Sequence, residues 1–226
     1  MDIELAKYID HSLLKPSATT DEIVKLCAEA VEYGFFAVCV NPVHVRRAVK
    51  ELAATNVTVV TTVAFPLGAE LTDIKIAQTQ RAVSEGAEEI DFVLNIGALK
   101  EGDVPYLTSE IESIVRVAKE HPVKVIIECD LLTNEEKILA TELCMNSGAY
   151  MVKTSTGFLK EGHGATVEDV QLLKEAIGNG SLKIKASGGI KDHEKAKALI
   201  EAGASRLGTS SGVTIIEESR LAAPVC

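Results

Sequence analysis

The sequence predicts a (β/α)8 barrel built by a single domain over residues 1–226, and three observations carry that expectation. Eight short runs rich in Val and Ile alternate with segments whose apolar residues recur every three to four positions, the patterns of strand and helix in turn. The runs are apolar throughout, as in parallel strands covered on both faces. Glycine stands at the helix-to-strand junction before every second strand, at Gly34, Gly86, Gly148 and Gly203, where left-handed backbone ends a helix. An open, doubly wound sheet is the runner-up, weakened because no Gly-x-Gly-x-x-Gly follows the first strand.

In chain order the expected strands are residues 6–9, 35–40, 57–63, 89–94, 123–129, 150–153, 182–186 and 205–209. Between the first two, Ile23, Leu26, Cys27, Ala30 and Val31 form one apolar helix face; between the third and fourth, Ile74, Ala77 and Val83 do the same. A further helix is expected to open at Val213. With 226 residues and 46% hydrophobic content the chain is long enough for one large core.

The formal net charge of -10 argues against nucleic acid or an anionic membrane as partner, since both need clustered basic residues, and any anion site must be local. The opening residues Met1 to Lys7 lack a basic and apolar leader, and no apolar run reaches membrane-spanning length, so a soluble cytoplasmic protein is expected. The five cysteines (Cys27, Cys39, Cys129, Cys144, Cys226) include no Cys-x-x-Cys pair and read as reduced thiols, with Cys39 and Cys129 near strand ends but best explained as small buried hydrophobes. The five histidines (His11, His44, His121, His163, His193) lack metal-ligand spacing, so no metal site is expected. His44 and His193 read as first-turn helix residues and His163 as a solvated loop residue.

In a barrel of this kind chemistry belongs at the carboxyl ends of the strands. The polar residues expected to converge there are Asp10 after strand one, Asn41 after strand two, Asp91 and Asn95 on strand four, Lys153 on strand six and Lys185 on strand seven. Lys153 ends the apolar run Tyr150-Met151-Val152 and precedes Thr154-Ser155-Thr156-Gly157. Desolvation there favours a neutral amine, which is a nucleophile able to form a Schiff base; a lysine that reaches out to water is the alternative. Lys185 ends the neighbouring run, and a like charge about 6 Å away at an effective dielectric of about 20 is worth roughly 2 to 3 kcal/mol, which further favours the neutral form of one lysine. Lys183 shares a face with Lys185 but sits at the strand entrance. Strand period two turns Asp91 inward, where a carboxylate is costly unless it is at work or held in a structural ion pair. Two glycine turns, Ser187-Gly188-Gly189 and Gly208-Thr209-Ser210-Ser211-Gly212, follow strands seven and eight and together read as a phosphate cradle, with Lys191 as a nearby charge. Three functions fit: a lysine-dependent aldolase, a transaldolase-like transfer on another phosphosugar, or a non-catalytic phosphosugar-binding barrel.

The motifs Asp10 to Pro16 (DHSLLKP), Val38 to Pro42 (VCVNP), Glu89 to Lys100 (EIDFVLNIGALK), Val152 to Gly157 (VKTSTG), Lys185 to Ile190 (KASGGI) and Arg206 to Gly212 (RLGTSSG) run from end to end, and by them the chain resembles the deoxyribose-phosphate aldolase family. The resemblance implies Lys153 as Schiff-base lysine, Lys185 as the lysine that tunes it and joins proton transfer, Asp91 as acid/base with water, and Asp10 as the carboxylate holding Lys185. It implies phosphate contacts at Gly157, Gly188, Gly189, Gly208, Ser210 and Ser211. The reaction implied is reversible cleavage of 2-deoxy-D-ribose 5-phosphate to acetaldehyde and D-glyceraldehyde 3-phosphate without metal or cofactor, with a homo-oligomer as a possible assembly. Two departures stand out: Lys191 where many members carry Arg, and an ending Pro224-Val225-Cys226 where certain longer members carry a tyrosine.

Overall fold

In the computed structural model, which describes residues 4–222, eight parallel strands close into a barrel in sequence order. They are β1 (Ile9–Leu13), β2 (Ala37–Val40), β3 (Thr58–Val63), β4 (Glu89–Val93), β5 (Val123–Ile126), β6 (Met151–Lys153), β7 (Lys183–Ser187) and β8 (Arg206–Thr209). Outside lie α1 (Thr20–Tyr33), α2 (Val45–Glu51), α3 (Thr72–Ser84), α4 (Ile96–Glu101), α5 (Val104–Ala118), α6 (Asn134–Asn146), α7 (Val167–Ile177), α8 (His193–Ala202) and α9 (Gly212–Ala222). Two helices, α4 and α5, share the connection from β4 to β5.

The four junction glycines adopt the positive φ expected of them, from 69° at Gly34 to 128° at Gly203, and each returns the chain from a helix to an even-numbered strand. At their other ends α1 and α6 open with reciprocal capping boxes, Thr19 with Glu22 and Thr133 with Glu136. The open-sheet alternative falls because β8 pairs with β1, Asp10 standing opposite Gly208.

Two expected placements need correction. Leu5–Tyr8 form a 3-10 turn, closed by the Ile9 amide donating to the Ala6 carbonyl, and β1 begins only at Ile9. Leu5 and Ile9, both buried, are four positions apart, a helical spacing that looks like a strand edge when only hydropathy is read. Asp10 therefore lies within the first strand and not after it. β4 likewise stops at Val93, so Asn95 is not on the strand: it is the N-cap of α4, its side chain accepting from the Ala98 amide.

Strand parity divides the core in two. Outward residues such as Val38, Phe92, Val125, Val152 and Leu207 join the apolar helix faces in one continuous layer, each such side chain worth about 1.5–3 kcal/mol when buried. Inside the barrel the apolar cluster is small, Ala37, Cys39 and Val60. Beside it lies a set of buried charges, with Asp10, Asp91, Lys124 and Lys185 all fully buried. No helix among the described residues is long and apolar enough to cross a membrane.

Candidate active site

Parallel register sets which side chains meet. Asp91 stands opposite Lys124, Lys153 opposite Lys185, and Lys185 opposite Arg206, so these inward positions share one face across five strands. Asp91 is at the centre. Its Oδ1 accepts from Lys124 Nζ at 2.8 Å, and its Oδ2 accepts from both Lys153 Nζ and Lys185 Nζ at 2.8 Å. Lys185 also donates to Asp10, which accepts from Arg206 Nη1 at 2.9 Å on its other oxygen. Glu89 closes the cluster below, 2.6 Å from Lys124 Nζ and 3.3 Å from Arg206 Nη1.

The electrostatics follow from this enclosure. Burial alone would push the Asp91 carboxyl up, but Lys124, Lys153 and Lys185 hold it well below the usual carboxylate range. Asp10 is likewise held down by Lys185 and Arg206 against the cost of burial. Burial works against a charged Lys185, yet Asp10 and Asp91 outweigh it and keep this ammonium protonated. The cluster sets three carboxylates (Asp10, Glu89, Asp91) against four basic groups (Lys124, Lys153, Lys185, Arg206). The cluster thus carries one basic group more than it has carboxylates, and every buried carboxylate keeps a cationic partner. Lys153 does not reach out to water: its side chain is 3% exposed and bound to Asp91.

Above Lys153 the mouth opens into a cavity of about 350 Å³. Lys153 lines it, and so do all six residues expected to cradle phosphate, Gly157, Gly188, Gly189, Gly208, Ser210 and Ser211, together with Lys15 and Lys191. The cradle depends on backbone approach. A Cβ on Gly164, which is at φ 68°, would come within 2.3 Å of the Gly188 carbonyl oxygen, and one on Gly188 would meet Gly164 and Gly157 at 3.1 and 3.2 Å. Asp130 braces the same loop, accepting from the amides of His163 and Gly164, both at 3.0 Å.

Not every expected residue joins the site. Asn95 serves the α4 cap and donates to the Tyr106 hydroxyl. Asn41 donates to the Leu14 carbonyl and so steadies the loop after β1 rather than the interior. Lys183 lies at the strand entrance as expected, against the Tyr150 ring and hydroxyl. Cys39 is inside the barrel beside the cluster, and burial pushes its thiol up to about 11; Cys129 belongs to the outer apolar layer. His163 has an exposed position and His193 opens α8, but His44 ends a 3-10 turn ahead of α2. The segment Pro224 to Cys226 lies outside the described residues.

A model of the "DeoC/LacD family aldolase" matches residues 5–217. The chain belongs to this aldolase family. It is 52% identical over 222 residues to the deoxyribose-phosphate aldolase of Thermococcus gammatolerans, covering 96% of this chain and 97% of that protein. The Bdellovibrio bacteriovorus deoxyribose-phosphate aldolase is also 52% identical, over 215 residues, with 95% and 96% covered. A tetrameric deoxyribose phosphate aldolase from Aeropyrum pernix superposes with a TM-score of 0.90 at 31% identity, over 97% of this chain and 92% of that one.

Within this aldolase barrel, Lys124, Arg206 and Glu89 are the site-cluster residues that sequence reasoning passed over. The signal was present. Lys124 interrupts the apolar run Val123-Lys124-Val125, and Glu89 lies two positions before Asp91 and so on its face. Arg206 is likewise the one charged residue of β8, and its guanidinium caps the Phe36 ring at 3.4 Å from the centroid.

Proposed function

We propose that the chain catalyses the reversible aldol cleavage of 2-deoxy-D-ribose 5-phosphate to acetaldehyde and D-glyceraldehyde 3-phosphate through a Schiff base on Lys153. The observation that carries the reading is the position of Lys153 Nζ, 2.8 Å from a triply shared carboxylate at the floor of a cavity walled by the glycine turns. The open-chain aldehyde accepts the Lys153 amine at C1, and loss of water leaves a protonated imine. That cation draws in the electron pair of the C2–C3 bond as a base takes the proton of the C3 hydroxyl, releasing glyceraldehyde 3-phosphate and an enamine. Protonation at C2 and hydrolysis of the imine then free acetaldehyde and return the amine.

Roles follow from charge. Asp91, an anion at rest, is the group suited to accept protons near Nζ, through water where the distance requires it. Lys185 stays cationic, so it keeps positive charge beside the reacting nitrogen and donates when a proton is needed; Asp10 and Arg206 hold it in place. Phosphate is received by the backbone of Gly157, Gly188, Gly189 and Gly208 with the hydroxyls of Ser210 and Ser211, and Lys191 adds charge. The reading invokes no metal or cofactor, and among the described residues no three His, Cys, Asp or Glu side chains form a metal-holding group. In this reading the chain is a single-domain enzyme of the cytoplasm, where phosphosugars occur and thiols such as Cys27, Cys39, Cys129 and Cys144 stay reduced, and the tetrameric Aeropyrum pernix relative supports a homo-oligomer.

Borohydride added with acetaldehyde is expected to trap a covalent adduct that peptide mass mapping assigns to Lys153. An adduct on Lys185, or none at all, sinks the assignment.

A further inference from the structure

Two aromatic rings meet beside Lys153. Phe65, from the loop after β3, and Phe158, from the loop after β6, pack edge to face with centroids 5.1 Å apart and planes at 85°. Lys153 Nζ lies 6.0 Å from the Phe65 centroid, and Phe158 lines the same cavity as Lys153. Both rings are delivered by tightly held backbone. Ala64, next to Phe65, sits at φ 52°, a left-handed conformation that is costly for a residue with a Cβ. Its amide donates to Gln78 Oε1 at 2.9 Å and its carbonyl accepts from Gly68, which itself abuts the Leu94 backbone. On the other side the Phe158 amide donates to Thr156 Oγ1 at 3.1 Å, and Thr156 is anchored through its amide and hydroxyl to the buried Glu128 carboxylate. Strained or doubly anchored backbone that aims a ring at a reactive amine indicates a role for that ring.

We propose that Phe65, backed by Phe158, is the specificity-determining wall that selects a donor aldehyde with no hydroxyl on its second carbon. The proposal rests on the Schiff-base reading of Lys153. Two covalent bonds carry C2 of the bound aldehyde about 2.5 Å from Nζ. A C2 turned towards Phe65 therefore reaches the ring at about 3.5–4.0 Å, ordinary contact distance. A methylene or methyl group fits that wall, whereas a hydroxyl there gives up water and meets carbon. Apolar walls reject an added hydroxyl by roughly 10²-fold. The chemical consequence is preference for a 2-deoxy sugar phosphate over its 2-hydroxy counterpart in cleavage, and for acetaldehyde over 2-hydroxyacetaldehyde in synthesis.

The test is kcat/KM for acetaldehyde against 2-hydroxyacetaldehyde as donors to glyceraldehyde 3-phosphate, measured for the unmodified enzyme, Phe65→Ala, Phe65→Leu and Phe158→Ala. Phe65→Ala is expected to cut the preference for acetaldehyde about tenfold, and Phe158→Ala about threefold, while Phe65→Leu, still apolar, keeps it. Should Phe65→Ala fail to fold, Phe158→Ala decides, since that side chain is 44% exposed and its loss leaves the core untouched. A preference unchanged in the alanine variants overturns the assignment, and so does an equal loss in Phe65→Leu. Borohydride trapping on each variant separates the two readings: an intact Lys153 adduct with unchanged preference removes only the wall, whereas no adduct in the unmodified enzyme removes the Schiff base itself.

Discussion

Replacing Asp91 by Asn keeps the shape of the side chain and removes the one charge that three buried amines share. The carboxylate accepts from Lys124, Lys153 and Lys185 at 2.8 Å each, and the variant leaves four basic groups facing two carboxylates, Asp10 and Glu89. Removing one partner of a buried ion pair costs about 3–5 kcal/mol, because the charge left behind has neither water nor counter-ion. For a chain of this length that is on the order of 10 °C in Tm. The pH dependence gives a second handle. Asp91 is held well below its ordinary value of 3.8 in the folded protein, so its stabilising contribution is present above about pH 4 and is lost as pH falls through the folded value. The gap between the two proteins should be full at pH 7 and narrow steadily below pH 4. Because the chain has no Trp, urea unfolding followed by far-ultraviolet circular dichroism is the suitable assay. A gap below about 1 kcal/mol at pH 7, or one that does not change with pH, would refute the view that Asp91 holds the cluster as an anion. Turnover should fall by at least about 10²-fold in the same variant, as expected on loss of a general acid/base.

Gly188→Ala should raise KM for deoxyribose 5-phosphate strongly while leaving turnover of unphosphorylated deoxyribose nearly as it was, since the new Cβ meets Gly164 and Gly157 at 3.1 and 3.2 Å at φ 85°, in the cradle rather than at the amine. Equal effects on the two sugars would place the phosphate elsewhere. Lys75→Met is the contrasting case: Lys75 is fully buried with Glu110 at 2.8 Å between α3 and α5, remote from the mouth cavity. It should cost about 3–5 kcal/mol in urea unfolding and leave kcat unchanged; a lower kcat in folded protein would tie this pair to the site. Activity should survive prolonged EDTA treatment, and a loss reversed by added zinc would point to metal chemistry.

The buried lysine cluster shows how far sequence reading reaches. Lys153, Lys185 and Asp91 were legible because each breaks or ends an apolar run and strand parity turns it inward. The same rule applies to Glu89, Lys124 and Arg206, which were passed over because a charge near the entrance of a strand reads as solvated until the barrel is known to close over it. Asn95 failed for the opposite reason. Parity holds only while the strand lasts, and β4 ends at Val93, so the side chain two residues on obeys the α4 cap instead. The first strand was displaced because Leu5 and Ile9 are spaced as in a helical turn, and hydropathy alone does not separate that from a strand edge.

Local chemistry, written in the order of residues, determined the alternation of strands and helices, the glycine ends of the helices, the inward face of each strand and the glycine turns at the mouth. These depend on neighbours a few positions apart, where backbone sterics and periodicity act. Tertiary structure alone decided which inward charges touch. Contact between Asp10 and Arg206, or between Phe65 and Phe158, depends on the register of parallel strands and on closure of β8 against β1, which set the height of each side chain in the barrel. Those heights turn a set of isolated buried charges into one shared cluster with Lys153 at its open end.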